Sequence, residues 1–138
     1  MAAAPALLYL DSSALVKLIL PEAETGALLT ALGDWPQRIT SEIAAVEIRR
    51  AARRASGDEA VRRRADEVLA GLHLLRLDAA ILDRAARLEP ETLRSLDAIH
   101  LASALSIGDD LGAFVAYDRG LAAAARQAGL TVLAPEPT

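Results

Sequence analysis

The chain has 138 residues, a net charge of −4 and an apolar fraction of 53%, of which aromatic residues are only 3% of the whole. That length suits one domain, able to bury roughly 70% of its unfolded surface around a core of Leu, Ala, Val and Ile. The absence of cysteine excludes disulfides and thiolate metal sites, and the modest charge does not by itself announce a nucleic-acid binder.

Met1 to Pro5 lacks a basic region, and Asp11 interrupts the apolar run that follows, so no signal peptide or membrane span is expected. A soluble, cytoplasmic domain is the expectation. Leu7 to Leu10 reads as a short buried strand that ends at Asp11. Ser12-Ser13 opens a helical segment to Leu20, which Pro21 stops while starting a helix through about Leu32. Gly33 to Pro36 is a loop. Arg38 to Ser41 reads as a second strand, and Ser41 is placed to cap a helix running to about Ala55.

Ser56-Gly57-Asp58 breaks that helix, and an Arg-rich helix follows to about Ala70, ended by Gly71. Leu72 to Leu77 reads as strand, Asp78 to Leu88 as helix, and Glu89 to Arg94 as loop. Asp97 to Ser106 is helical and apolar nearly all round, which predicts burial on most sides. Gly108 to Gly112 forms a turn before a strand from Ala113 to Tyr117. A helix from Leu121 to Ala128, a strand from Thr131 to Leu133 and a frayed tail, residues 135–138, complete the single domain. Short apolar strands alternating with helices predict a parallel sheet with helices on both faces. Ligands of such sheets gather outside the carboxyl ends of the strands, where Asp11 and Asp118 fall.

Four carboxylates stand out: Asp11, Glu47, Asp97 and Asp118, each beside an apolar run or a helix start. Gathering them in one place adds mutual repulsion to the cost of burial, and a hard divalent cation would offset both. Asp11, Asp97 and Asp118 also read simply as helix caps, a role that keeps the carboxylate ionised and is compatible with ligation. On a wheel of about 100° per residue, Glu47 lies between the apolar arc of Ala44, Ile48, Ala51 and Ala55 and the side of Arg50 and Arg54. It reads equally as half of a surface pair with Arg50 or as a carboxylate reaching into a cleft. His100, one turn after Asp97, is read as packing more readily than as a partner of the acidic set. Ser12 and Ser13 read as caps whose hydroxyls could also hold a water on an ion. The arginines between positions 49 and 64 read as a solvated face, or else as contacts to phosphate or an acidic partner.

Four segments carry a resemblance: Leu10 to Lys17, Thr40 to Glu47, Leu96 to Ala102, and Tyr117 to Leu121. In this order and spacing the chain resembles a PIN domain of the VapC toxin-ribonuclease type along nearly its whole length. The resemblance implies a three-layer α/β/α sandwich with a five-stranded parallel sheet. It places the acidic set of the family on Asp11, Glu47, Asp97 and Asp118, and so favours the cleft reading of Glu47. It further implies Mg²⁺-dependent hydrolysis of RNA phosphodiester bonds (with Mn²⁺ as an alternative ion), with Asp11 and Asp97 as direct ligands. A VapB-type antitoxin and a homodimer are the implied protein partners. The alternative is a PIN-like module that binds RNA or protein without cutting. A phosphoaspartate mechanism at Asp11 is disfavoured because Ser13 stands where a second Asp is usual, and no Lys follows Lys17 for a receiver domain.

Overall fold

The computed structural model describes residues 7–138. In chain order the elements are β1 (Leu7–Leu10), α1 (Ser12–Ile19), α2 (Thr25–Leu32), β2 (Gln37–Ser41), α3 (Ile43–Ala55) and α4 (Glu59–Ala70). They continue with β3 (His73–Leu75), α5 (Ala79–Arg87), α6 (Ser95–Ile107), a 3₁₀ turn (Gly108–Asp110), β4 (Leu111–Val115), α7 (Arg119–Gln127) and β5 (Val132–Leu133). The five strands form one sheet in the order β3-β2-β1-β4-β5, and every neighbouring pair is parallel.

Alternation of side chains along β1 and β4 divides the core into two layers. Leu8, Leu10, Ala113 and Val115 pack against Leu15 of α1, Leu28 of α2, Ile48 of α3 and Leu69 of α4. Tyr9, Phe114 and Ala116 face the opposite way, onto Leu101 of α6 and Leu121 and Ala125 of α7. Each fully buried Leu contributes on the order of 1.5–3 kcal/mol. The Tyr9 and Phe114 rings stack with centroids 5.3 Å apart and planes 7° from parallel, which adds about 0.5–1.5 kcal/mol beyond area burial. Small residues let the helices close in where large ones would hold them off. In α6, Ala98, Leu101, Ala102 and Ala104 are buried together with His100 and Ser103, as its all-round apolar character predicts. The expected α/β/α sandwich with a five-stranded parallel sheet is the fold observed.

Several boundaries differ from the sequence reading, each for a local reason. Helix α2 begins at Thr25, not at Pro21. The Thr25 hydroxyl accepts from the Glu22 N–H (2.9 Å) and donates to the Lys17 carbonyl (2.7 Å), which folds the intervening residues into a turn. The Lys17 ammonium holds that turn through Glu22 at 2.9 Å and Glu24 at 3.4 Å. Strand β3 keeps only three residues of the expected six, because Leu72 donates to Leu69 at the end of α4 and Leu77 donates to the Glu42 carboxylate. Strand β4 starts two residues early, at Leu111, and Gly112 belongs to it. A Cβ on Gly112 would collide with the Trp35 ring and come within 3.3 Å of the Leu7 carbonyl. Just after β5, the Pro135 carbonyl accepts the Tyr117 hydroxyl at 2.9 Å.

Candidate active site

Strands β1 and β4 are adjacent at the middle of the sheet, while the chain leaves β1 towards β2 and leaves β4 towards β5. This reversal opens a crevice at the carboxyl edge of the sheet. Asp11 is the first residue past β1, and its backbone N–H still bonds the Val115 carbonyl at 3.1 Å. Its side chain caps α1 by accepting from the Ala14 N–H at 2.9 Å. The Ser13 hydroxyl reaches Oδ1 at 2.8 Å and Oδ2 at 2.9 Å. Asp118 follows β4 after Ala116 and Tyr117, not directly, and caps α7 through the Leu121 N–H at 2.9 Å.

Asp97 does not cap. Helix α6 starts two residues earlier, with Arg94 at the cap position, and Asp97 lies in its first turn with no capping bond from its side chain. Glu47 lies in the second turn of α3, the helix that follows β2, and is tied inward, away from a surface pair with Arg50. Its Oε1 accepts the Ser12 hydroxyl at 2.6 Å and lies 2.7 Å from His100 Nε2.

Electrostatics ties the four together. Asp11 is 2% exposed, and burial, reinforced by the charge of Asp97, pushes its carboxyl up to about 6 against the hydrogen bonds from Ala14 and Ser13. Asp97 is also raised, by burial first and then by the charge of Asp118, with Glu47 adding a smaller push. Asp97 is thus the carboxyl whose charge couples with each of the other three. Glu47 moves the other way. Burial pushes it up, but hydrogen bonds from His100 and Ser12, and the charge of His100 when protonated, leave it below the ordinary range.

His100 is the residue whose part the sequence understated. It is 1% exposed, with Nδ1 2.8 Å from the Tyr9 hydroxyl and Nε2 2.9 Å from the Ser12 hydroxyl. The available signal was its spacing of three from Asp97, which puts both on one side of α6. Glu42, by contrast, accepts from Leu77 and serves the fold. Asp78 caps α5, and Asp109 and Asp110 lie in the 3₁₀ turn, as their sequence setting suggests. Of the arginines, Arg49 pairs with Asp66 at 2.9 Å in the open, while Arg50, Arg53 and Arg54 line a cavity of about 290 Å³.

Among the described residues, no three His, Asp or Glu side chains stand close enough to hold a metal ion by themselves. The donor chemistry nonetheless fits a hard cation, since every acidic group offers carboxylate oxygen. Mg²⁺ takes one or two carboxylates and fills its remaining positions with water or substrate phosphate. Among the described residues, no helix is long and apolar enough to cross a membrane.

Comparison with known proteins gives a consistent picture. The family model for the PIN domain matches residues 8–127. Ribonuclease VapC46 of Mycobacterium tuberculosis is 44% identical over 94% of this chain and 98% of its own length. The crystal structure of VapC20 from the same species, a sarcin-ricin loop cleaving toxin, superposes with a TM-score of 0.73 at 19% identity, covering 93% of this chain and 99% of that one. A toxin–antitoxin complex from Klebsiella pneumoniae contains a chain with a TM-score of 0.70 at 23% identity, covering 95% and 99% respectively.

Proposed function

Because the chain belongs to the PIN-domain family, we propose that it is a metal-dependent endoribonuclease, the toxin of a VapBC-type pair, and that Asp11, Glu47, Asp97 and Asp118 form its active site. The observation that carries this reading is electrostatic. A fold gains nothing in stability from holding Asp11 buried beside Asp97, and Asp97 beside Asp118, with both carboxyls raised by burial and by like charge. Such an arrangement suits a site whose positive charge arrives with the ligand.

Asp11 and Asp97 are the direct ligands in this reading. Glu47 and Asp118 bind the ion directly, bind it through water, or orient the attacking water. The ion supplies Lewis acidity and offsets the charge of both the cluster and the phosphate. Mg²⁺ is the preferred ion and Mn²⁺ an acceptable one. The chain's own groups then hold and orient: Ser13 keeps both oxygens of Asp11 engaged, and Ser12 and His100 keep Glu47 ionised. Arg50, Arg53 and Arg54, on the same helix as Glu47, supply contacts to the RNA backbone. The protein partner is a VapB-type antitoxin, for which an acidic cleft offers a seat to a cationic side chain.

One observation favours a second reading, a PIN-like module that binds without cutting: among the described residues, no three acidic side chains converge on a point. A cleavage assay separates the two. The ribonuclease cuts RNA with Mg²⁺ or Mn²⁺, stops in chelator, and loses its activity in Asp11→Asn and Asp97→Asn. If wild type and both variants behave alike across RNA substrates, the binding module is the correct reading.

A further inference from the structure

The chain has two histidines, and only His100 is enclosed. Its Nε2 forms a triangle with Glu47 Oε1 (2.7 Å) and Ser12 Oγ (2.9 Å), closed by the Ser12-to-Glu47 bond of 2.6 Å. On the other side of the ring, Nδ1 faces the Tyr9 hydroxyl at 2.8 Å, with the two rings edge to face at 76°. The Tyr9 oxygen accepts the Ser41 N–H at 3.1 Å, so its own hydrogen is available for Nδ1. A nitrogen that accepts carries no proton, and the single proton of the neutral ring is then at Nε2. With the ring neutral and the Tyr9 O–H turned to Nδ1, the bonds run in one direction: Ser41 N–H to Tyr9, Tyr9 O–H to His100, His100 N–H to Glu47, with the Ser12 O–H arriving at the same Glu47 oxygen.

Resting on the reading that Glu47 belongs to the reaction site, we propose that His100, fixed as its Nε2–H tautomer by Tyr9, is a positioning residue that holds Oε1 of Glu47 and leaves Oε2 as the oxygen presented to the reaction. A glutamate on a helix rim has three side-chain torsions, and a single hydroxyl bond leaves most of them free. A buried N–H on a ring that cannot turn, backed by a tyrosine wedged against Phe114, gives the carboxylate a fixed address. A histidine present only to fill space would have its polar needs met with no carboxylate in reach. This one spends its only N–H on Glu47 and Ser12.

Two experiments test the proposal. The first needs no RNA. ¹⁵N spectra of histidine-labelled protein at neutral pH contain two imidazoles, and His73→Gln, which removes an exposed side chain paired with Gln37, assigns the remaining one. His100 is expected to show a protonated Nε2 and a bare Nδ1, and Tyr9→Phe is expected to disturb that pattern while the ring stacking survives. A proton on Nδ1, alone or together with Nε2, overturns the proposal. The second compares kcat with KM. His100→Leu is expected to lower kcat by about 10- to 100-fold, the usual effect of removing the partner that orients a reacting ligand, at little change in KM for RNA. His100→Gln, whose amide N–H reaches towards the same oxygen, recovers most of the loss. Equal kcat for Leu and wild type, or Gln no better than Leu with both folded, also overturns it. Where His100→Leu does not fold, Tyr9→Phe decides: an unchanged kcat overturns the proposal. If Glu47→Gln cuts RNA normally, the role given to Glu47 falls, while the tautomer result stands by itself.

Discussion

The Ser12 hydroxyl donates to Glu47 at 2.6 Å, joining the first turn of α1 to the middle of α3 across 35 residues of sequence. Because Asp11 is the neighbouring residue, one turn of chain serves two carboxylates, the first through Ser13 and the second through Ser12. Ser12→Ala leaves Glu47 with His100 alone on Oε1. The expected result is a loss of about tenfold or more in kcat. Thermal stability should change little, because Glu47 is only partly buried and water can replace the hydroxyl. Steady-state cleavage kinetics beside a melting curve check both halves.

Asp11→Asn should make the protein inactive and more stable. Burial raises the Asp11 carboxyl from 3.8 to about 6, so the folded state holds the proton more tightly than the unfolded chain between those values. The stability linked to this group is present below about pH 4 and is lost as pH rises through 6. At neutral pH the buried charge costs roughly 3 kcal/mol at most, from about 1.4 kcal/mol per pH unit. Asn can keep the bond from Ala14 without that charge. Melting temperatures in chelator should favour Asp11→Asn by several degrees at pH 7.5, with the gap closing towards pH 4.

Divalent ions should reverse the penalty. At 100 times its dissociation constant an ion that binds only the folded state adds about 2.7 kcal/mol, visible as a rise in Tm with Mg²⁺ or Mn²⁺. Asp97→Asn removes the carboxyl that couples with the other three and should abolish that rise. In wild type the rise should shrink below about pH 6, since a proton on Asp11 competes with the ion. A calorimetric titration at pH 5.5 and pH 7.5 gives the same comparison directly.

Three of the four arginines on α3 carry a prediction about salt. Each phosphate contact to a single strand adds about 0.7 to the slope of log affinity against log salt. Changing Arg50, Arg53 and Arg54 together to Ala should flatten that slope by about 2 when RNA binding is followed in chelator. An unchanged slope would remove these residues from the RNA path.

Gly112→Ala tests the packing against the central strand β4. The new methyl group meets the Trp35 ring and the Leu7 carbonyl, and overpacking of this kind costs about 1–3 kcal/mol. Urea unfolding should shift to lower midpoint with an unchanged m-value.

Much of this architecture was legible in the chain because it follows from local patterns. Runs such as Leu7 to Leu10 announce buried strands, and the acids at their ends mark the edge where ligands collect. Boundaries set by side chains from elsewhere were not legible. Thr25 delays α2 by bonding back to Lys17, and the close approach of Trp35 is what Gly112 accommodates within β4. Asp97 looked like a cap because it precedes an apolar helical run, yet α6 had already begun at Ser95. His100 looked like filling for a related reason: its decisive partner, Tyr9, is 91 residues away, and no window along the chain brings the two into view together.

The parallel order of the sheet has a temporal consequence. Asp11 enters the chain early, but the strand that anchors its backbone is β4, whose Val115 accepts its N–H, and Asp118 comes later still. β5 pairs with that strand and α7 packs against it. Domains complete their folding as units while the ribosome adds roughly 5–20 residues per second. A polypeptide still being made therefore has its acidic groups scattered and its cleft unbuilt. Asp11 and Asp118 cannot share one crevice until the chain has been made past Asp118, more than a hundred positions after the first of them.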